Sequence, residues 1–94
     1  MNVQHEVSGR EGSFFIEQNG QRIAEAQFAL DGREMDLYHT QVDEQHQGEH
    51  LGNKLIDAAV EYARSNDIKI YPSCRFAQAV LGRNKEYRDV LAKS

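Results

Sequence analysis

The sequence predicts one α+β domain, a four-strand antiparallel meander followed by a βαβ unit. Three observations predict it. The Gly-rich stretch Ser8–Gly12 and the hairpin-favouring dipeptides Asn19-Gly20 and Asp31-Gly32 cut the chain up to Val42 into strand-length pieces. Ala24, Ala26, Phe28 and Leu30 alternate with Glu25 and Gln27, the period of a half-buried strand. Beyond Val42 the period becomes helical: Leu51, Leu55, Ala58 or Ala59, and Tyr62 recur on one face.

The elements follow in order. The strands are expected at Val3–Val7, Ser13–Gln18, Gln21–Leu30 and Arg33–Val42. A helix should run from about Gly48 to Arg64, turn its polar side, Asn53, Asp57, Glu61 and Arg64, outward, and stop near Ser65-Asn66. Asp67–Tyr71 alternates as a short strand closed by Pro72, the only proline. A strand, a helix of this length and another strand make a crossover, so this last strand should lie parallel to Arg33–Val42. A second helix is expected over Cys74–Leu81 with Gly82 as its C-cap, and Tyr87, Val90 and Leu91 suggest a final helical turn or two. No repeat, linker or low-complexity tract interrupts the chain, so residues 1–94 read as one domain.

Composition narrows the function. Fifteen acidic against 11 basic side chains give a net charge of −4, with a pI of about 5.5. That balance argues against the basic face that nucleic acid or an anionic membrane would require. A single cysteine, Cys74, excludes an internal disulfide and a cysteine-rich zinc site. No window approaches the roughly 20 apolar residues of a membrane span, and the N-terminus lacks the apolar core of a signal peptide. The expectation is a cytoplasmic protein, a monomer or weak homodimer.

The segment Gln41–Lys54 carries the motifs, and two readings compete for it. His46-Gln47-Gly48-Glu49-His50 spells the inverted zinc-protease pattern H-x-x-E-H. That chemistry needs one continuous helix through both histidines, yet Gly48 interrupts it and no third ligand is marked downstream. No metal is expected. The other reading is an anion loop: a strand leads through a Gly-containing connection into a helix N-terminus, whose first N–H groups lack internal partners. A phosphate suits such a place, and Gly48 and Gly52 would let the backbone approach it closely.

A family pattern then emerges. His39-Thr40, Val42, the loop Gln47-Gly48-Glu49-His50-Leu51-Gly52 with Lys54-Leu55, Glu61 to Arg64, Pro72, Cys74 to Ala77 and Glu86-Tyr87 occur in a characteristic order. From about His39 to Leu91 the chain resembles small single-domain members of the GNAT N-acetyltransferase superfamily, the YjdJ-type subgroup. The superfamily loop runs Arg or Gln, two residues, Gly, one residue, then Gly or Ala. Gln47 and Gly52 fill the first and last places, while His50 stands where glycine is usual.

The resemblance implies a GNAT-like (acyl-CoA N-acyltransferase) fold that binds acetyl-CoA and moves its acetyl group to an amine acceptor of unknown identity. The pantetheine arm would pair with the backbone of Thr40, Gln41 and Val42, extending the sheet. The pyrophosphate would rest on Gln47, Gly48, Glu49, His50, Leu51 and Gly52, with Lys54, Phe76 and Tyr87 as further cofactor contacts. Candidate catalytic residues are Cys74, His39 and Glu44. Cys74 reads either as a small buried hydrophobe or as a group at the thioester, relaying a proton to the thiolate or accepting the acetyl group. His39 is a packed strand histidine or a base for the amine; Glu44 is a solvated loop carboxylate or a base acting through water. His50 is expected to hold a helical φ and, when protonated, to add a charge-assisted hydrogen bond to the phosphate. The chain also lacks the helical segment after the first strand that usually walls the acceptor site. The alternative is a non-catalytic CoA-binding or protein-interaction module with a degenerate site.

Overall fold

A computed structural model describes residues 2–92; Met1, Lys93 and Ser94 of the domain expected at 1–94 lie outside the described residues. Five strands form one sheet in sequential order: β1 (Gln4–Ser8), β2 (Glu11–Gln18), β3 (Gln21–Asp31), β4 (Glu34–Val42) and β5 (Lys69–Pro72). The first four are antiparallel neighbours, and β5 joins β4 in parallel. The meander and the crossover match the sequence reading. Its turns are tighter than expected. Gly9 (φ 64°) carries the first with Arg10, and Gly32 (φ 61°) carries the third with Arg33, leaving Asp31 paired to Glu34.

Two helices, α1 (Leu51–Ser65) and α2 (Arg75–Arg83), cover one face of the sheet. Phe14 and Ile16 from β2, Ala26 and Phe28 from β3, and Met35 and Leu37 from β4 meet Leu55, Ile56, Ala59 and Val60 of α1 in a single buried core. Each large apolar side chain sealed this way contributes about 1.5–3 kcal/mol. A bulge interrupts the β3–β4 register: Gln27 pairs with His39 and Phe28 with Leu37, so Tyr38 is the extra residue. Leu37 and then Thr40 and Val42 face the helices, while His39 and Gln41 face the other way.

Boundaries beyond the meander differ from expectation for local reasons. Helix α1 begins at Leu51 rather than Gly48, because Gly48 (φ 87°) and His50 (φ 60°) are left-handed and cannot lie inside a right-handed helix. Strand β5 begins at Lys69 rather than Asp67, since Asp67 (φ 56°) turns the chain after the helix. Gly82 is not a cap; it lies inside α2, which continues to Arg83, and the Asn84 side chain bonds the Val80 carbonyl at 2.7 Å. The last helical turn reaches only Lys85–Tyr87. Val90 and Leu91 instead run beside β5, with the Ile70 N–H donating to the Val90 carbonyl at 2.6 Å. Arg64 anchors that segment to α1 through two 2.8 Å bonds to the Asp89 carboxylate, and this contact holds the Asp89 carboxyl below its usual range. Among the described residues no helix is long and apolar enough to cross a membrane.

Candidate functional site

The site is built where β4 and β5 part. Their pairing runs from Glu34–Lys69 to Leu37–Pro72 and ends there. Pro72 has no N–H to continue the ladder, and the Leu37 carbonyl instead accepts from Ser73 N–H (2.9 Å) and Cys74 N–H (3.3 Å). The chain then turns away into α2, while β4 continues to Val42 with that edge unpaired. Thr40 and Cys74 face each other across the opening, with Thr40 Oγ1 3.4 Å from Cys74 Sγ. Cys74 is also the N-cap of α2: its sulfur accepts the Ala77 N–H at 3.4 Å. The thiol is half-buried and fixed from two sides.

Beyond the opening lies the loop from β4 to α1. Glu44–His46 form one 3₁₀ turn, and the Gln47 side chain donates to the Val42 carbonyl at 3.0 Å, tying the loop to the strand end. His46 Nδ1 and Glu49 Oε2 stand 3.0 Å apart. The histidines of the H-x-x-E-H stretch therefore belong to different local structures, a 3₁₀ turn and a left-handed helix cap, and do not share a helix face. The expected helical φ at His50 is corrected: the residue is left-handed at φ 60°, ψ 27°, the conformation a glycine in that place would take freely. The first helical bond runs from Lys54 N–H to the His50 carbonyl at 3.2 Å, so the N–H groups of Leu51, Gly52 and Asn53 have no partner within α1.

These groups border a recess of about 160 Å³ lined by Val42, Gln47, Gly48, His50, Gly52 and Phe76, among others. Gly52 serves a different purpose from the one its place in the loop suggested. A Cβ there would stand 2.6 Å from Phe76 Cζ, so its missing side chain admits the Phe76 ring, whereas Gly48 faces open space. Leu51 is buried and also lines the recess. Lys54 is exposed on the first turn of α1.

A second groove, about 440 Å³, continues between the helices and shares Asn53 with the first. Tyr87 lies in it, half-buried, with its hydroxyl donating to Asp57. That bond to a carboxylate, together with partial burial, pushes the phenol up to about 12. Asn53 and Asp57 were assigned only to an outward helix face; their i,i+4 spacing beside the loop was the available signal. Tyr38 was missed because a bulge depends on two strands and leaves no mark in one.

The candidate catalytic residues divide between two sides of β4. Cys74 meets Thr40 on the helix side. His39 is on the uncovered side, exposed, with Nε2 3.3 Å from Gln41 Oε1. Glu44 is exposed in the 3₁₀ turn, and no hydrogen bond joins it to either.

The family model for GCN5-related N-acetyl-transferases matches residues 13–90. The solution structure of a GCN5-like protein from Staphylococcus aureus is 31% identical, with a TM-score of 0.70 over 99% of this chain and 91% of that one. The ribosomal-protein-S18-alanine N-acetyltransferase of Escherichia coli aligns with a TM-score of 0.67 at 22% identity, over 82% of this chain and 53% of its own. A ribosomal-protein-alanine N-acetyltransferase from Brucella melitensis aligns at 0.61 and 19%, over 90% of this chain and 65% of its own. The chain thus spans about half of the Escherichia coli enzyme, and these last two likenesses concern the fold.

Proposed function

The chain belongs to the GCN5-related N-acetyltransferase family, and from that premise we propose that it transfers acetyl from acetyl-CoA to an amine. The observation that carries this reading is the parting of β4 and β5 with Thr40 and Cys74 at its mouth and the α1 N-terminus beyond it. The donor set suits a CoA ester. The edge of β4 from Thr40 to the Val42 N–H offers amide hydrogen bonds to the pantetheine arm, the Val42 carbonyl being held by Gln47. The N–H groups of Leu51, Gly52 and Asn53 suit a pyrophosphate. Acetyl-CoA supplies an activated acyl carbon and a thiolate leaving group.

The residues of this chain divide the remaining work. The β4 bulge at Tyr38 breaks the β3–β4 ladder just before Thr40, and a backbone N–H left without a strand partner there would polarise the thioester carbonyl. Cys74, fixed by Thr40 and the Ala77 N–H, delivers a proton to the departing sulfur. His39, on the other side of β4, takes the proton of the incoming amine, with Gln41 orienting its ring. Glu44 stands on the rim as an alternative base through water. Residues on opposite faces of one strand thereby serve opposite ends of the reaction. Most of the rate comes from holding the reactants together.

Titration with acetyl-CoA, followed by transfer and hydrolysis assays over a panel of amines, tests the proposal. A ligand at a hundredfold excess over its Kd stabilises the fold by about 2.7 kcal/mol, which raises the melting temperature of so small a domain by several degrees. No shift, with no heat in calorimetry at millimolar ligand, would sink the reading. Binding without transfer to any amine would leave a CoA-binding module.

A further inference from the structure

The face of the sheet opposite the helices is uncovered. Gly9 and Arg10 alone link β1 to β2, and no helix or loop among the described residues crosses that face. Its charge is mostly acidic, with Arg22 and Lys69 as cations on it. Arg22 lies 3.8 Å over the Phe15 ring and is neutralised by Glu6 and Glu25, at 2.6 and 2.7 Å. The Lys69 ammonium is held by the Asp89 carbonyl. Asp31, Glu34 and Asp36 remain, and none of the three stands in an ion pair among the described residues. They line a recess of about 350 Å³ with Tyr71 and Ser73, and Asp36 accepts from the Ser73 hydroxyl. Ser73 precedes Cys74, so this acidic surface borders the parting of β4 and β5 from the side opposite α1. Two of the large exposed side chains of the protein, Tyr38 (40%) and Tyr71 (44%), stand on the same face.

Resting on the acyl-transfer reading above, we propose that this face is the acceptor surface and that its occupant is an extended, lysine-rich polypeptide segment. Charge complementarity selects the lysines: unpaired carboxylates attract ammonium groups, and exposed tyrosine rings accept them on their faces. Geometry selects a polypeptide over a small amine. Sites for small molecules bury most of the ligand, whereas the recess here lies open to solvent along the sheet. Glu34 and Asp36 also recur at the two-residue step of a strand, about 6.6 Å, which is the step between alternate lysines of an extended peptide. One lysine reaches the opening and loses its extra proton. Its nitrogen bonds to the acetyl carbon and gives up a second proton as the carbon–sulfur bond breaks. The sulfur leaves with the electron pair and takes a proton from Cys74, which the nitrogen's second proton restores. The products are an acetyl-lysine and free CoA.

The test uses the full chain with acetyl-CoA and a ten-residue peptide of alternating lysine and glycine, against spermidine and ethanolamine. The peptide is expected to be the best acceptor, with kcat/KM falling severalfold between 50 and 500 mM salt as the charges are screened. The triple variant Asp31→Asn, Glu34→Gln, Asp36→Asn should raise the peptide KM about tenfold, the sum of three exposed charge contacts, with the Kd for acetyl-CoA unchanged. Binding of a fluorescein-tagged copy of the peptide, measured without cofactor, should weaken in the same variant. Acetyl-CoA binding with a salt-insensitive peptide KM, or with spermidine or ethanolamine preferred, overturns this inference and spares the acyl-transfer reading. Absence of acetyl-CoA binding overturns the acyl-transfer reading and the acceptor role with it. Salt-sensitive, carboxylate-dependent peptide binding would then leave the face as a lysine-peptide docking surface alone.

Discussion

Gly52 and Phe76 share one space: a Cβ on the first would lie 2.6 Å from the ring of the second. The ring is 39% exposed and can swing aside, so the conflict need not cost the fold much. Replacing a helical glycine by alanine also gains about 1 kcal/mol of helix propensity. Gly52→Ala should therefore leave the melting temperature within a few degrees of the parent. Displacing Phe76 reshapes the recess beside the loop, and affinity for acetyl-CoA should fall severalfold. Calorimetry beside a thermal melt checks both; unchanged affinity would remove Phe76 from the cofactor site.

His50 caps α1 in the left-handed conformation that glycine adopts freely. A non-glycine residue there costs on the order of 1 kcal/mol, and glycine recovers part of it against the added freedom of the unfolded chain. His50→Gly should raise stability by about 0.5 kcal/mol. The pH dependence of its affinity reports the imidazole. A protonated ring beside a pyrophosphate should strengthen binding as pH falls from 8 to 6. The glycine variant should lose that dependence, and a wild type equally tight at both pH values would show that the ring makes no such contact.

The strands and the crossover were legible because they rest on local signals, the Asn19-Gly20 turn and the alternation from Ala24 to Leu30. The start of α1 was not. Only backbone geometry reveals that Gly48 and His50 are left-handed, and histidine gives little warning of it. The loop, Thr40 and Cys74 could each be nominated from the order of residues shared with the family, but not the contact between the last two. That His39 and Cys74 occupy opposite faces could not, because the Tyr38 bulge reverses the alternation within β4. The acidic outer face was hidden in a net charge of only −4, since its carboxylates come from separate strands that the meander brings side by side.

Tyr87 and Asp57 link the C-terminal segment to α1, and the link should be visible against pH. The phenol is raised from 10.0 to about 12 mainly because its protonated form donates to Asp57. Its contribution is thus complete below about pH 10, the unfolded value, and is lost as pH rises toward 12. A half-exposed bond of this kind is worth about 0.5–1 kcal/mol. Tyr87→Phe should be destabilised by that amount at pH 8, and denaturant melts of the two proteins should converge as pH approaches 12. A constant difference across the range would mean that the loss is one of packing.

Cys74 holds two positions at once, N-cap of α2 and neighbour of Thr40 at the strand opening, and substitutions can separate them. Serine is a better cap than cysteine, so Cys74→Ser should keep or slightly raise stability, while Cys74→Ala loses the cap at a cost of about 0.5–1 kcal/mol. If the sulfur serves only as a cap, acetyl transfer should follow stability, and the serine variant should be as active as the parent. A proton delivered by the thiol predicts otherwise. Serine holds its proton far more tightly, so kcat should fall about tenfold or more in both variants, with KM for acetyl-CoA little changed. Saturating acetyl-CoA should also protect the wild-type thiol from alkylation, because the occupied opening covers it. Equal alkylation rates with and without acetyl-CoA, together with a fully active serine variant, would return Cys74 to the role of a cap.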